Sequence, residues 1–402
     1  MKILQVCRKF PYPLKDGESI AVTYLAKAYR DLGAALTLLS FNTIKTFYDL
    51  AQLPKSFNHY EAIHTVYLNN HPEPLGAFLN LFSQQSYHIS RFITPLFEEK
   101  LSDLLQKETF DIVQLESVYL APYIPIIRRL SKAKIVMRAH NVEFEIWDRV
   151  AQNTTFLPKK IYLSYLVKKL KRNEISQLKN YDLLLAMTAK DLAYFEKLGY
   201  QNQSLVAPIG LQLENYQYDE ITAPIPAISF IGSLDWVPNQ EGLIWFLDHV
   251  WADLKCQLPP LELHIAGRNT PDWLFAKAGN GVIVHGEVDD ASAFLLQYPM
   301  TIVPLFSGSG MRVKILEGMA LARVVITTTL GLEGINAKDG QEVLIADDKP
   351  TLIKRIISTF KQKSATARLQ KNARLFIAHH FDNKIIAQNV LQSFQELIKR
   401  SH

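Results

Sequence analysis

The chain has few cysteines and lacks long apolar runs, and both shortages narrow the class of protein. Among its 402 residues only Cys7 and Cys256 are cysteines, and their separation matches no metal or redox spacing. Two lone thiols in so long a chain suit a reducing compartment. No stretch approaches the roughly 18 consecutive apolar residues that a membrane span needs. We therefore expect neither a disulfide framework nor a transmembrane protein.

The first residues, MKILQVCRKF, lack the apolar core and the small-residue cleavage site of a signal peptide. They instead predict a strand followed by a charged loop. Together with the missing membrane span, this favours a soluble, cytoplasmic protein.

Charge of one sign is in small excess, with 44 Lys and Arg against 39 Asp and Glu, a net charge of +5. Residues 1–205 hold 26 basic and 19 acidic side chains, and the remainder holds 18 and 20. A basic first half suits an anionic partner or membrane face, although a merely solvated basic surface has the same composition. No nucleic-acid recognition motif accompanies the basic residues, so we expect no nucleic-acid partner.

Short apolar runs rich in β-formers alternate with longer amphipathic stretches, the pattern of parallel sheets with crossover helices. Residues 215–227 (NYQYDEITAPIPA) interrupt it with two prolines and no period, which predicts a linker. We therefore expect an α/β protein with two Rossmann-like, doubly wound parallel-sheet domains facing a central cleft. The predicted domains are residues 1–210, joined by a C-terminal helix at 384–402, and residues 211–383. Ligands of such sheets bind at the carboxyl ends of the strands.

The pattern predicts particular elements in each half. In the first half the strands are Lys2–Cys7, Ala35–Phe41, Ile112–Leu115, Lys134–Ala139, Leu183–Met187 and Ser204–Val206, and the helices are Ser19–Leu32, Pro95–Lys107, Ile161–Lys179 and Ala189–Lys197. In the second half the strands are Ile228–Ile231, Glu262–Ala266, Val282–His285, Met300–Val303, Val324–Thr327 and Glu342–Ala346, and the helices are Glu241–Val250, Ala291–Gln297, Met311–Ala320 and Pro350–Ser358.

The segment Pro304–Ala320 (PLFSGSGMRVKILEGMA) is the most informative, since a strand precedes its glycines and a helix follows them. Small residues let backbone N–H groups approach an anion, and a helix N-terminus adds partial positive charge, as in a diphosphate cradle. Helical spacing places Gly310, Lys314 and Glu317 on one face. A carboxylate two turns behind the cradle suits the paired hydroxyls of a ribose. A flexible loop with a surface acid is the alternative, which the flanking strand and helix disfavour.

The same stretch resembles the donor-binding signature of family 4 glycosyltransferases, retaining enzymes of the GT-B fold, in a branch with GSGMR. FIGSLDWVPNQEGLIWFLDHVW, LELHIAGRN and VIVHGEVDD are similar to earlier parts of that family's C-terminal domain. PYPLKDGES, AVTYLAKAYRDLGAALTLLSF, FDIVQLES and IVMRAHNVE resemble its N-terminal domain. The resemblance covers nearly the whole chain, with the motifs in the family's order.

The resemblance implies roles for individual residues. Glu317 would hold the ribose, and His140 would reach the donor sugar or the reacting centre. The backbone of Gly17 would approach the diphosphate, and backbone groups from Gly286 to Val288 would recognise the base. The diphosphate would be held by amides near Ser309, Gly310, Met311 and Arg312. Taken alone, His140 is more often a hydrogen-bonded histidine at a strand end than a catalytic group. Its place at the carboxyl end of a predicted strand makes the two interpretations equal.

The chain departs from the family pattern at three places. Ser309 replaces the first of two glutamates, which puts in doubt how the donor sugar's hydroxyls are held. Ser233 stands where an arginine would neutralise the diphosphate, so Arg312 and Lys314 become the nearest sources of positive charge, unless they are solvated. The N-terminal glycine pair is reduced to Asp16–Gly17.

The resemblance therefore implies a glycosyltransferase that moves a sugar from a nucleotide-diphosphate sugar to a glycan or lipid-linked acceptor with retention of configuration. No paired carboxylates at a strand end and no His/Cys cluster have metal spacing, so we expect no metal and no cofactor. A nucleotide-sugar epimerase is one alternative, with Glu116, Glu143 and Glu145 as weak acid/base candidates. A catalytically inactive nucleotide-sugar-binding protein is the other, and the loss of the glutamate at Ser309 would explain it.

Two segments of the first half bear on a membrane. Leu75–Phe82 (LGAFLNLF) is apolar for a loop, and Lys159–Arg172 (KKIYLSYLVKKLKR) predicts a basic helix with aromatic and leucine side chains. Together they suit peripheral contact with an anionic membrane on its inner face, where a lipid-linked acceptor would lie. A buried helix start and a solvated basic face are the alternative.

Overall fold

The computed structural model describes residues 1–14, 16–71, 73, 76, 79–218, 226–308 and 310–400. The chain divides into two compact units, Met1–Gly210 with Asn383–His402, and Leu211–Asp382. None of the described helices combines the length and the apolar character needed to cross a membrane.

The first unit is built on a parallel sheet of seven described strands. In chain order they are β1 (Lys2–Cys7), β2 (Ala35–Thr43), β3 (Ala62–Leu68), β4 (Ile112–Leu115), β5 (Lys134–Ala139), β6 (Leu183–Ala186) and β7 (Gln203–Val206). Their spatial order is β3-β2-β1-β4-β5-β6-β7, with parallel pairing throughout. The order reverses between β1 and β4, which is where doubly wound sheets bind ligands.

Three helices of this unit begin after a side chain that caps them, namely those of Asp16, Thr94 and Thr188. Asp16 accepts the Ser19 amide at 3.0 Å before the first long helix, and Thr94 caps a helix that opens with Pro95. The helices are α1 (Gly17–Asp31), α2 (Tyr87–Ser90), α3 (Pro95–Lys107), α4 (Ile124–Leu130), α5 (Glu143–Gln152), α6 (Leu157–Gln177) and α7 (Ala189–Lys197), with 3-10 turns at Ile44–Thr46, Leu50–Gln52, Asn80–Phe82, Val118–Tyr123 and Leu178–Asn180.

The second unit repeats this architecture with six described strands. They are β8 (Ala227–Ile231), β9 (Glu262–Ala266), β10 (Val282–Gly286), β11 (Met300–Val303), β12 (Val324–Thr327) and β13 (Leu344–Ile345). The spatial order β10-β9-β8-β11-β12-β13 reverses between β8 and β11, again with parallel pairing. The predicted fold class, two Rossmann-like parallel-sheet domains, is confirmed.

The helices of the second unit are α8 (Val237–Trp245), α9 (Trp251–Gln257), α10 (Asp272–Phe275), α11 (Ala291–Leu296), α12 (Val313–Ala320), α13 (Lys349–Lys361) and α14 (Lys363–His380), with a 3-10 turn at Leu213–Asn215 and a π-helical turn at Phe246–Val250. The last helix, α15 (Asn383–Lys399), returns to the first unit and packs on α1.

The helix predicted to start at Met311 starts at Val313, so the placement of Gly310 on its face was wrong. Gly308 and Gly310 have φ of +95° and +89°, and Arg312 at the N-cap is non-helical. A right-handed helix cannot extend through residues with left-handed backbone. The turn therefore leads up to the helix rather than forming its first residues.

The linker prediction at residues 215–227 was wrong at its edges. Tyr216 is 5% exposed and belongs to the core of the second unit, and Ala227 already begins β8. Residues 219–225 lie outside the described part of the chain. A tyrosine among acids and prolines gives no period, so its burial could not be predicted locally.

Candidate functional site

The glycine turn of the second unit lies where its strand order reverses. It follows β11, and the loop from Gly232 to Trp236 follows β8. A Cβ on Gly308 would lie 2.9 Å from the Trp236 ring, so both the positive φ and the contact require glycine there. The two loops at the switch point are therefore packed against each other. Ser309, predicted to bind the diphosphate, lies outside the described residues.

Helix α8 also presses directly on the start of this turn. A Cβ on Gly242 would lie 1.8 Å from the carbonyl oxygen of Pro304, closer than any side chain could fit. Ser307 donates a hydrogen bond from its hydroxyl to Glu241 on the same helix. The turn's entry is thus fixed. Nothing among the described residues lies within 4 Å of a Cβ built on Gly310, so its far side is open.

Lys314 turns back from α12 toward the loop after β8. Its Nζ donates to Asn239 Oδ1 at 2.7 Å and lies 4.5 Å from the centre of the Phe230 ring. Asn239 in turn donates to the carbonyl of Ser233, also at 2.7 Å. The resembled family has an arginine at the position of Ser233. The cation of Lys314 is therefore linked, through Asn239, to the segment where this chain has a serine in place of that arginine.

Arg312 accompanies Lys314 in the protein interior. Its side chain is 5% exposed, which excludes the solvated alternative for this residue. Burial, together with the charge of Arg312, lowers the pKa of Lys314 to about 7. Two cations forced together out of water favour an anionic ligand beside them.

Glu317 lies on the same face of α12 as Lys314, one turn further along, and is half-buried. The hydroxyl of Tyr216 donates to its Oε1 at 3.0 Å. Burial raises the pKa of Glu317 to about 7, the Tyr216 hydrogen bond opposes this, and the charge of Asp290 adds to it. The carboxylate is therefore oriented within the unit rather than pointing into bulk water.

The predicted base-binding segment leaves the end of β10. Gly286 has a φ of +74°, and its carbonyl accepts the Gly267 amide at 2.7 Å. Val288 packs against the same core cluster as Met311 and Val313. The backbone after Gly286 and the start of α12 thus share one core, and base recognition there stays a prediction.

In the first unit, His140 directly follows β5, and Glu116 directly follows the neighbouring β4. The His140 Nε2 atom lies 2.9 Å from Glu116 Oε2. His140 keeps 11% of its side chain exposed, whereas Glu116 is fully buried. The histidine therefore lies at the surface of the carboxyl edge, with an acid behind it.

Glu116 is ionised in this setting. Burial alone would raise its pKa, but the Arg138 guanidinium 3.6 Å away and hydrogen bonds from His140 and Gln5 hold the pKa below its ordinary value. The Gln5 and Gln114 amides both donate to its Oε1. Since an ionised carboxylate only accepts, Nε2 of His140 carries a hydrogen and donates it to Glu116.

An ion pair that the sequence analysis did not predict lies near this histidine. Arg8, just after β1, donates to both carboxylate oxygens of Glu18, at 3.1 and 2.7 Å. Burial would raise the pKa of Glu18, but Arg8, Lys9 and His140 lower it to about 2. Opposite charges at the two ends of the loop between β1 and α1 were the available signal.

Gly17 is the first residue of α1. A Cβ there would lie 3.8 Å from Ile209, an ordinary contact, and its φ is not left-handed. Neither local space nor backbone conformation therefore demands glycine. Its predicted approach to a diphosphate stays a prediction.

Two of the acids proposed for an epimerase, Glu116 and Glu143, accept hydrogen bonds from other side chains of the first unit. Glu116 is held by four side chains as described, and Glu143 accepts the Tyr119 hydroxyl at 2.9 Å. Glu174 accepts the amides of Glu143 and Phe144 at 3.2 and 3.1 Å, which caps α5 from α6. Burial, followed by the charge of Glu143, raises the pKa of Glu174 to about 8.

Within the described ranges, no three His, Cys, Asp or Glu residues are grouped to hold a metal ion.

Comparison with known proteins agrees with this geometry. Residues 225–362 match the family of glycosyl transferases group 1. A Klebsiella pneumoniae protein, described as an uncharacterized 44.6 kDa protein in the cps region, is 26% identical over 302 residues, 73% of this chain and 76% of its own.

Solved structures share the fold over the whole chain. The sucrose-phosphate synthase of Thermosynechococcus elongatus superposes with a TM-score of 0.72 at 16% identity, covering 100% of both chains. The Anabaena HepE protein in complex with UDP gives 0.68 at 14% identity, covering 98% of this chain and 100% of its own. The fold is therefore that of GT-B glycosyltransferases, and the glycosyl transferases group 1 domain at residues 225–362 supports a glycosyltransferase.

Proposed function

We propose that this protein transfers a sugar from a nucleotide-diphosphate sugar to a glycan or lipid-linked acceptor, with retention of configuration and without a metal ion. The observation that carries the proposal is the pairing of Lys314 and Glu317 on one face of α12 behind the glycine turn. Each is fixed by a hydrogen bond to another element, Lys314 to Asn239 and Glu317 to Tyr216. We infer that Lys314 supplies a cation for the diphosphate and that Glu317, one turn away, supplies an acid for the ribose.

The proposed nucleotide-sugar donor is supported by the positive charge near the glycine turn and by the ligands of a structural neighbour. In this proposal the amides near Gly310 and Met311, with Lys314 and Arg312, offer hydrogen bonds and positive charge to a diphosphate. The Anabaena HepE protein has been solved with UDP and with UDP-glucose. We accordingly assign a nucleoside diphosphate to the turn and its ribose diol to Glu317. Membership of the retaining family 4 and of its GSGMR branch remains part of the proposal.

The chemistry we propose follows from retention. The bond between the anomeric carbon and the diphosphate oxygen breaks, and the acceptor oxygen bonds to the same face of that carbon. The acceptor's proton passes to the departing phosphate oxygen. Fixed amides and cations stabilise the charge that develops on the leaving group, which is electrostatic preorganisation. We assign His140, with its hydrogen held at Nε2, to the reacting centre.

The acceptor half rests on the Klebsiella relative, whose description places it in the cps region, a polysaccharide-biosynthesis locus. We extend this to a hexosyl or related transfer onto a growing glycan or its lipid carrier. Action in the cytoplasm stays a prediction.

Calorimetric titration with uridine, guanosine and adenosine diphosphates tests the donor assignment. For the nucleotide that binds, Glu317→Ala should weaken binding by about 2 kcal/mol, roughly 30-fold, since it removes charge-assisted hydrogen bonds. Glu214→Ala, at an exposed acid of the same unit, is the matched control and should bind as the parent does. Equal affinity of the parent and Glu317→Ala for every nucleotide would falsify the assignment.

Turnover separates the alternatives. A transferase consumes the nucleotide-sugar only when an acceptor extract is present, and NMR of the product should show the donor's anomeric configuration. Interconversion of nucleotide-sugars without acceptor would instead identify an epimerase. Binding without turnover on any glycan or lipid extract would indicate an inactive binding protein.

A further inference from the structure

Two segments of the first unit, residues 79–82 and 156–161, expose large apolar side chains. Well-exposed apolar residues are normal singly, but a group of them on one surface marks an interaction site. The exposed fractions are 81% for Phe82, 66% for Phe156, 65% for Leu157, 63% for Ile161 and 59% for Leu79.

Hydrogen bonds join the segment that carries Leu79 and Phe82 to the helix that carries Leu157 and Ile161, α6. Lys169 Nζ of α6 donates to the carbonyls of Asn80 and Leu81 at 2.6 and 3.2 Å, and the Tyr165 hydroxyl donates to Leu81 at 3.0 Å. Lys169 also lies 4.7 Å from the centre of the Tyr165 ring. The segment that carries Leu79 and Phe82 is therefore fixed to α6.

Helix α6 continues the surface along its length. Leu157, Ile161 and Tyr165 are spaced by four residues, so they form one stripe, and all three are exposed. Further along the helix the stripe becomes cationic, because Lys168 and Arg172 follow at helical spacing. An apolar row thus leads directly into a cationic one.

A cavity of about 560 Å³ lies where the apolar row meets the cationic one. Tyr165, Lys168, Lys169 and Arg172 line it on one side, and polar residues 83–85 line it on the other. Lys169 is occupied by the carbonyls of Asn80 and Leu81. Lys168 and Arg172 are exposed and make no ion pair with any residue that the structure describes.

The charge of the helix fits an anionic partner. Residues 157–177 contain six Lys or Arg and a single acid, Glu174. That acid is buried, faces the start of α5, and has a pKa raised to about 8, so it does little to neutralise the exposed cations.

We propose that this face binds an anionic membrane, with a lipid phosphate headgroup in the cavity and the five apolar side chains among the acyl chains. Cations beside exposed apolar residues match the two layers of a bilayer interface, headgroup and hydrocarbon. A nucleic acid would use the cations but leave Phe82, Leu157 and Ile161 in water. The inference goes beyond the proposed function, since membrane binding requires no bound nucleotide.

Co-sedimentation of the full chain with lipid vesicles tests it. We expect strong binding to phosphatidylcholine vesicles that contain about 30% phosphatidylglycerol, and weak binding to phosphatidylcholine alone. Raising the salt from about 0.1 M to about 0.5 M should weaken the binding through screening. Glycerol phosphate in solution should not compete, because it lacks the acyl chains.

Two double variants separate the contributions. Lys168→Gln with Arg172→Gln should weaken binding to anionic vesicles about 10-fold or more. Phe82→Ser with Ile161→Ser should weaken it at both salt concentrations, since apolar insertion is not screened. The matched control, Lys361→Gln with Lys363→Gln at exposed lysines of the second unit, should bind as the parent does. Unchanged nucleotide affinity and thermal unfolding show that each variant is folded.

Equal binding to neutral and anionic vesicles would overturn the headgroup site. If the control variant lost as much binding as Lys168→Gln with Arg172→Gln, the binding would depend only on the net charge of the protein, which would also overturn the site. No binding to either vesicle, with the face instead protected by a protein, would overturn the membrane assignment. Each of these results is independent of the nucleotide titration, so the two proposals fail separately.

Discussion

The carboxylate of Glu116 lies 2.9 Å from Nε2 of His140, and the acid is wholly buried while the histidine reaches the surface. The two residues end adjacent parallel strands, β4 and β5. Because the Arg138 guanidinium helps to keep Glu116 ionised, the acid accepts a hydrogen bond from Nε2 and so orients the ring. Glu116 is therefore a positioning residue in the proposed reaction.

Glu116→Gln tests this positioning role. A neutral amide no longer demands the hydrogen at Nε2, so the histidine tautomers should mix, and turnover should fall about 10-fold or more while nucleotide affinity is unchanged. Nitrogen-15 NMR of the histidine rings reports the tautomer directly. Glu98→Gln, at an exposed acid of the same unit, should change neither. An unaltered His140 spectrum in Glu116→Gln would contradict the assignment.

His140→Ala distinguishes a group at the reacting centre from a binding group. We expect kcat to fall by about 100-fold, in the range for a lost general acid or base, with little change in nucleoside diphosphate affinity. Steady-state kinetics and calorimetry on the same preparation provide both numbers. Parallel losses in affinity and turnover would assign His140 to donor binding instead.

Lys314 should make donor binding depend on pH. With its pKa lowered to about 7, Lys314 is charged below neutrality and neutral above it, and an anion favours the charged form. Binding above pH 7 must therefore take up a proton, and affinity should fall by up to roughly tenfold per pH unit. Calorimetry in buffers of different ionisation enthalpy measures the uptake. Lys314→Met should abolish the uptake, and Lys361→Met, at an exposed lysine, should preserve it.

Glu174 should make stability depend on pH with a definite sign. Its folded pKa, about 8, is above the ordinary value of 4.5, so its contribution is fully present below pH 4.5 and is lost as pH rises through 8. Glu174→Gln cannot ionise and should escape this loss, although its NH2 group cannot accept the second of the two amides. The Tm of the parent, measured relative to Glu174→Gln, should therefore fall by about 2 °C or more between pH 5 and pH 8.5. A constant difference across that range would contradict the buried, protonated acid.

Much of the fold could be predicted from local pattern. The strands at Lys2–Cys7, Ile112–Leu115 and Lys134–Ala139 have their predicted bounds, because strands buried on both faces are nearly continuous apolar runs. The sheet-edge strand β3 (AIHTVYL) was missed, since its half-buried residues give no such run. The predicted strand at Glu342–Ala346 shortens to Leu344–Ile345, and the predicted helix at Glu241–Val250 becomes α8 followed by a π-helical turn.

The candidate site, like the fold, could be predicted from the sequence only in part. The family resemblance and the order of the motifs predicted the glycine turn, Lys314, Glu317 and His140 as site residues, and their roles stay predictions. The charge states of these residues came only with tertiary structure. Tyr216 reaches Glu317 across 101 positions of the chain, and Asn239 reaches Lys314 across 75. Hydrogen bonds and desolvation depend on distance in space, so no local pattern could report them.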